Sequence, residues 1–370
     1  MLKRLLVATQ SFQDPLQFAY TPNRNTEDAI LTVTHAVLKH LEKPKASARM
    51  LFLDFSSAFN TIQPHLLMRK LMVMDTNPVI IRWLCSFLTD RPQRVVVRSS
   101  TTLEVSSEVR TNTGAPQGCV LSPALFTLYT SNCRCTAKDT LQVKFSDDTS
   151  LTGLITTSEN SYRCAVEKLV GWCNDNHLLL NVSKTKEIVV DFRRDPPTPR
   201  PLVINGEEVE IVGEYKYLGS VIDCKLDWSP NALALLKKGN QRLYFMKKLK
   251  SFSVSPKLLE LFYKSTVESV VTFNSLCHFG GLKEQDKARL SKITKTASRL
   301  IGRPVPDLQA HFEAKAVKRL EAIHRDPTHP LCTELQAHTS ARSGRLISFR
   351  AKTSRFHSSF LPASVRLCNA

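Results

Sequence analysis

At 370 residues, 42% of them apolar, the chain is long enough for two or three subdomains with sizeable cores, and no apolar run approaches the roughly 18 to 20 residues needed to cross a bilayer. Lys and Arg number 51 against 33 Asp and Glu, a formal net charge of +18, which favours a nucleic-acid partner ahead of a ribosomal or membrane-surface role. Ten cysteines without a CxxC pair read as buried free thiols rather than a zinc or disulfide framework, and MLKRLLVATQSFQD is too short an apolar start for a secretory signal, so an intracellular protein, nuclear or cytoplasmic, is expected with no membrane partner.

In chain order, ARMLFLDF (48–55) reads as a strand, and NPVIIRWLCSFL (77–88) as a helix with Asn77 at the N-cap and Pro78 in its first turn. RVVVRSS and LEVSSEV (94–108) predict a hairpin. SPALFTLYTSN (122–132) predicts a helix capped by Ser122 with Pro123 at its first position. LQVKF (141–145) and SLTGLI (150–155) are two short strands joined by an SDDT turn, SENSYRCAVEKLVGWCNDNHLL has a helical period, and KEIVVDF (186–192) is a strand. Four prolines in RRDPPTPRP (193–201) mark a boundary or exposed loop, and Asn205-Gly206 between apolar runs is a strong hairpin signal. From Trp228 the pattern turns helical and basic: residues 225–370 hold 26 basic and 10 acidic side chains, against 25 and 23 in residues 1–224. Alternation early and segregation late predict an α+β fold with a helical C-terminal region.

Two acidic sites ask for an explanation. Asp54 ends an apolar strand, where a carboxylate either caps the following SSAF segment or faces a cleft. Asp147 and Asp148 are neighbours in a turn; Asp suits turns, but adjacent like charges repel, and a bound cation would relieve them. Two strands that each deliver carboxylates at a tip can bring all three into one volume. Mg²⁺ prefers such hard oxygen ligands shared with substrate phosphates, and two ions about 4 Å apart clamp the attacking and leaving oxygens of a phosphoryl transfer. Between these sites, Gly114, Pro116 and Gly118 predict a stiff, exposed turn before a helix.

Taken together, LQFAYTPNRNTEDAI, LFLDFSSAFNTI, GAPQGCVLSPALF, KFSDDTSL, LLLNVSKTKEIVVDF and EYKYLGSVID, in that order over residues 14–223, resemble the reverse transcriptase of LINE-type (non-LTR) retrotransposons. The resemblance implies a right-hand polymerase: partial fingers over 1–47, a palm of antiparallel sheet with packed helices over 48–223, a helical basic thumb-like region over 224–305, and a basic C-terminal extension over 306–370. It implies an RNA-directed DNA polymerase that adds dNTPs to a DNA primer 3′-hydroxyl on an RNA template. Asp54 and Asp147 would hold two Mg²⁺ ions, with Mn²⁺ as a substitute, and Asp148 would be the accessory carboxylate. Phe55 would offer its carbonyl to one ion, and Phe59 would be the steric gate against a 2′-hydroxyl. Gln117 and Gly118 would line the nucleotide pocket, Arg24 would hold phosphates from the fingers, and Lys184, preferred over Lys186, would serve the pyrophosphate leaving group. Tyr217, Leu218 and Gly219 would grip the primer.

Relative to the family pattern, Thr21 stands at a usual arginine, Asn25 at a serine and Ser146 at an alanine. The start falls inside the family's fingers with no endonuclease region ahead of it, so a truncated element is expected, and a catalytically inactive nucleic-acid-binding remnant is the alternative. Residues 227–280 also resemble a segment of such elements labelled as the N-terminal part of the AlkB-type tRNA-modifying dioxygenase. His324-Arg325-Asp326 supplies the His-x-Asp pair that such chemistry requires, but it lies in a proline-flanked stretch with no all-β pattern around it.

Overall fold

The computed structural model describes residues 1–370. Its centre is a five-stranded sheet of β1 (Ser47–Leu53), β2 (Thr140–Phe145), β3 (Asp148–Ile155), β4 (Lys186–Asp191) and β5 (Glu210–Ile211), in the order β5-β4-β1-β3-β2. All pairings are antiparallel except β5 on β4. Every residue of β1 is buried, because apolar groups cover both faces of the sheet. Ala48, Met50 and Phe52 face one core while Leu51 and Leu53 face the other, the period of two that a strand imposes.

The core under Leu51 and Leu53 is closed by α2 (Pro64–Val73), α3 (Pro78–Leu88), α4 (Leu121–Tyr129) and α5 (Asn160–Asp175). The opposite core begins with α1 (Thr26–His40), which lays Ala29, Ile30, Val33 and Val37 against the sheet. Asn25 starts α1 with a capping box: its side chain accepts from Asp28 N–H at 3.0 Å, and Asp28 accepts from Asn25 N–H at 3.0 Å. Asparagine caps as well as the serine it replaces in the family pattern, so that departure leaves the helix start intact.

The C-terminal helices complete this second core. α6 (Ser229–Ser251) packs Leu235, Leu243 and Met246 towards α7 (Glu284–Ile301), and α8 (Leu308–His324) brings Phe312 and Leu320 into the same cluster as Phe356, Phe360 and Val365. Residues 306–370, expected as an extension, thus share one core with α1 and the sheet. His35 of α1 packs on Phe349 and Phe356 at 6.1 and 5.8 Å, so their removal exposes the face of α1 that carries Leu31 and His35, at a cost of about 1.5 to 3 kcal/mol per large apolar side chain uncovered. Ion pairs reinforce the contact: Arg319 with Asp28, Lys315 with Glu27 at 2.9 Å and Lys39 with Glu334 at 2.6 Å.

Several local expectations need correction. α4 starts at Leu121 without a side-chain cap, and Ser122 instead donates to Pro116 O at 2.5 Å, holding the turn before the helix. Strand β3 begins at Asp148 rather than Ser150. The hairpin expected over 94–108 is a longer ribbon of two ladders, Arg91–Gln93 with Val109–Thr111 and Val96–Arg98 with Leu103–Val105. Gly114 is buried, and a Cβ there would lie 2.8 Å from Asn60 Cα, so its close approach is to its own chain. All ten cysteines are free, but only Cys133, Cys173 and Cys332 are buried. No helix is long and apolar enough to cross a membrane.

Burial also sets a pH dependence. His278, enclosed near Trp228, is pushed down to about 4, chiefly by desolvation. His35 and His329 are lowered first by the same cause. Below about pH 6.5 the unfolded chain takes up protons that these buried rings refuse, so stability is full above that pH and declines towards pH 4. The urea midpoint at pH 5 is expected to fall, with His278 alone contributing about 2 kcal/mol; equal midpoints at pH 7.5 and 5 would contradict this.

Candidate active site

The register of β1 fixes the first carboxylate. Leu53 pairs with Thr149 and Phe145 pairs with Asp148, so Asp54, one residue past the end of β1, lies beside the tip of the β2–β3 hairpin. Its backbone is held on both sides: Asp54 N–H donates to Thr185 Oγ1 at 3.3 Å, and Asp54 O accepts from Asn181 N–H at 2.9 Å. Phe55 then bridges Leu180, and the following turn Ala58–Asn60 has no side-chain cap, so Asp54 caps no helix.

The hairpin tip is tight. Ser146 adopts φ +62°, a left-handed conformation that disfavours side chains, and a clamp holds it there. Gln17 Oε1 accepts from Ser146 N–H at 2.9 Å, Gln17 Nε2 donates to Ser146 O at 3.3 Å, and Tyr20 Oη lies 3.3 Å from Ser146 Oγ. Residues 16–18 run beside β2 through Phe18 N–H to Lys144 O and Lys144 N–H to Leu16 O, both 2.9 Å. The buried Lys144 ammonium is satisfied by Asp14 at 2.6 Å and by two carbonyls at 2.9 Å. Asp147 and Asp148 are thereby presented on a rigid tip.

The charges register one another. Asp148 is pushed up to about 6, first by loss of water around its carboxyl and then by the negative charges of Asp147 and Asp54. Since the residue stays exposed on one side, solvent screening reduces the free energy this represents. Tyr215 is raised by burial and by the same Asp148 and Asp54 charges. Lys184 Nζ, on an exposed side chain, lies 4.0 Å from Asp54 Oδ2, whereas Lys186 Nζ is engaged with Glu210 and Ser183 O. No group of three or more His, Cys, Asp or Glu side chains converges closely enough to cage a metal by itself. The donors are nevertheless hard oxygens gathered at a strand end and a hairpin tip, the set that suits a cation completing its shell with water and phosphate.

Phe59 follows Asp54 by five residues. Its half-buried ring packs on Phe126 at 4.8 Å, and its carbonyl accepts from Ala115 N–H at 2.9 Å, linking it to the 114–118 turn. Gln117 and Gly118 are exposed at the end of that turn, and Gly118 has φ +76° with open space where a Cβ would stand. Arg91 Nη2 donates to Thr113 O at 2.6 Å and to Gly114 O at 3.1 Å, a brace that the sequence did not advertise. Gln17 carries no such signal either, although it sits in the LQFAYTPN segment.

Two expected residues take other positions. Arg24 is not free for phosphates: its side chain is 4% exposed and its guanidinium donates to Asp326 at 2.6 Å and Thr328 at 2.9 Å. Burial alone would raise Asp326, but the bonds from Arg24 and Thr328 hold it down at about 2. Tyr217 is buried, tilted on Phe52 at 4.9 Å with its hydroxyl donating to Ser150 Oγ at 3.4 Å. Its ring belongs to the core, and Leu218 (φ +46°) and Gly219 (φ +85°) form the surface turn, fixed by Asn274 Nδ2 donating to Leu218 O at 3.2 Å. Gly219 is required there, since a Cβ would meet the Phe273 ring at 2.8 Å.

Comparison with known proteins supports the resemblance. A family model described as reverse transcriptase (RNA-dependent DNA polymerase) matches residues 1–222, and one described as alkylated DNA repair protein alkB homolog 8, N-terminal, matches residues 228–269. The latter stretch contains no His, Cys or Asp and is helical over most of its length, so it holds no iron-ligand set. The chain is 24% identical over 237 residues to the probable RNA-directed DNA polymerase from transposon BS of Drosophila melanogaster, covering 61% of this chain and 26% of that protein. It is 24% identical over 343 residues to the RNA-directed DNA polymerase from mobile element jockey of the same organism, covering 84% and 36%. It therefore spans about a quarter to a third of the length of these curated relatives. Among solved structures, apo telomerase from Candida tropicalis is similar at 14% identity with a TM-score of 0.43, over 89% of this chain and 53% of that one. The reverse transcriptase model takes in well over half of the chain, including both carboxylate sites and the turn between them. The chain belongs to the reverse transcriptase family.

Proposed function

We propose that the chain is the catalytic part of an RNA-directed DNA polymerase of non-LTR type, extending a DNA primer on an RNA template with dNTPs. The observation that carries this reading is the β1–β3 register, which sets Asp54 beside the Asp147-Asp148 tip. Asp54 and Asp147 would hold two Mg²⁺ ions, or Mn²⁺, with Asp148 accessory and Phe55 O as a further oxygen donor. When bound, the ions would neutralise charge on the triphosphate and lower the pKa of the attacking hydroxyl. Everything else falls to positioning. Gln17 keeps the aspartate tip in its strained turn, and Gln117 with Gly118 lets the incoming nucleotide lie against exposed backbone. Lys184, 4.0 Å from Asp54, would meet the leaving pyrophosphate, and the Leu218-Gly219 turn would hold the primer backbone.

On this reading residues 1–47 are fingers, 48–223 palm, 224–305 thumb-like and 306–370 a C-terminal region docked on the first helix. An intracellular place of action, nuclear or cytoplasmic, goes with such substrates. A second reading, a nucleic-acid-binding remnant without catalysis, is favoured by the engagement of Arg24 with Asp326, which withdraws one cation from the triphosphate.

Primer extension separates the two. Mg²⁺-dependent incorporation on an RNA template supports the polymerase, while RNA binding without any incorporation supports the remnant. Phe59→Val offers a finer check. Opening the space under the sugar is expected to raise the ratio of ribonucleotide to deoxynucleotide incorporation by roughly 10- to 200-fold. An unchanged ratio would remove Phe59 from the gate.

A further inference from the structure

Helix α6 carries Lys237, Lys238, Arg242, Lys247, Lys248 and Lys250 and no acidic residue. Its inner stripe is fully used: Leu235, Leu243 and Met246 are buried, and Gly239 lets Ile293 of α7 approach so closely that a Cβ would meet it at 2.6 Å. The outer stripe has no such partner. Lys238, Arg242, Phe245, Lys248 and Phe252 follow one another at spacings of three or four residues, which places them along one face. With Phe262 opposite, they line a groove of about 780 Å³ that no acidic side chain enters. Phe245 is 59% exposed and Phe252 77%, too open for core aromatics. Beside them Tyr244, also exposed, has the Lys248 ammonium 5.8 Å from its ring centre.

We infer that this stripe binds single-stranded nucleic acid, with bases stacked on Phe245 and Phe252 and phosphates met by Lys238, Arg242 and Lys248. Cations and rings are interleaved along one line, with Phe245 between Arg242 and Lys248 and Phe252 after Lys248, as a strand of phosphates and bases requires. A membrane-surface helix would instead segregate them, with apolar groups on one face and cations on the other. A duplex would satisfy the cations but has no free base faces for the rings. From Lys238 to Phe252 the stripe runs roughly 21 Å along the helix, room for a short run of nucleotides. The inference rests on the polymerase reading for its substrate class, and it adds a holding site for unpaired strand at the far end of α6 from the palm.

Fluorescence anisotropy with labelled oligo(U), oligo(dT) and a duplex of matched length tests it on the full chain. The Phe245→Ala/Phe252→Ala variant is expected to bind both single strands about 10- to 100-fold more weakly while duplex affinity stays within a few-fold. Phe245→Trp/Phe252→Trp is expected to retain binding. Lys238→Gln/Arg242→Gln is expected to reduce the slope of log affinity against log salt by about 1 to 2. Equal weakening on duplex and single strand, unchanged single-strand affinity, or displacement of oligo(U) by anionic phospholipid vesicles would overturn the proposal. Primer extension on the same preparations keeps the two readings apart. If wild type extends primers but the alanine variant binds oligo(U) as wild type does, only the groove is refuted. If wild type binds oligo(U) through the rings but never extends, only the polymerase is.

Discussion

Replacing Arg49 by alanine is expected to lower the unfolding free energy by about 3 to 5 kcal/mol. Arg49 is 1% exposed and grips the fully buried Glu187 with two bonds, Nε to Oε1 at 2.9 Å and Nη2 to Oε2 at 2.5 Å. Its remaining donors reach Glu159 at 2.7 Å and Arg200 O at 2.8 Å, while Tyr162 Oη donates to Glu187 Oε1 at 2.6 Å. Removing the guanidinium leaves the buried carboxylate of Glu187 in β4 without its counter-charge, beside the strand that leads into Asp54. Urea denaturation measures the loss. The joint change Arg49→Met/Glu187→Leu is expected to recover most of it, because an apolar pair needs no desolvation. A loss below about 1 kcal/mol for Arg49→Ala would mean that water reaches Glu187.

Asp147→Asn is expected to reduce primer extension by about 10³-fold or more with no loss of RNA affinity. An amide oxygen carries no charge, and several kcal/mol of cation-borne stabilisation at tenfold per 1.36 kcal/mol gives that scale. The fold is expected to survive, since losing one charge relieves the repulsion felt by Asp148. Single-nucleotide incorporation and RNA anisotropy on one preparation check both halves. A loss under tenfold would remove Asp147 from the chemistry.

The local grammar of the chain was legible. The apolar run before Asp54, the turn that carries two aspartates and Asn205-Gly206 each specify their geometry within a few residues, and Asn205 (φ 53°) and Gly206 (φ 85°) form the expected turn. The likeness of residues 14–223 to reverse transcriptases covered the same ground. What stayed hidden depends on partners distant in sequence. Gln17 reaches Ser146 across 129 residues, and Arg24 meets Asp326 across 302. A lone Gln or Arg announces no such partner. Tyr217 misled for a related reason: its motif marks a turn, but Phe52 lies below that turn and takes the ring into the core. The C-terminal residues read as a basic surplus, yet two of those cations, Lys315 and Arg319, pair with acids of α1, and Phe349, Phe356 and Phe360, spaced too irregularly to signal one helix face, lie in the same core cluster as α1.

Mn²⁺ binding followed by electron paramagnetic resonance, in the complex of the chain with an RNA–DNA primer-template and a dNTP, probes most directly the convergence of three carboxylates on shared cations. Bound Mn²⁺ that is lost to the same degree in Asp54→Asn and in Asp147→Asn is the expected result. Mn²⁺ retained in both variants, or lost in one and untouched in the other, would contradict a common site.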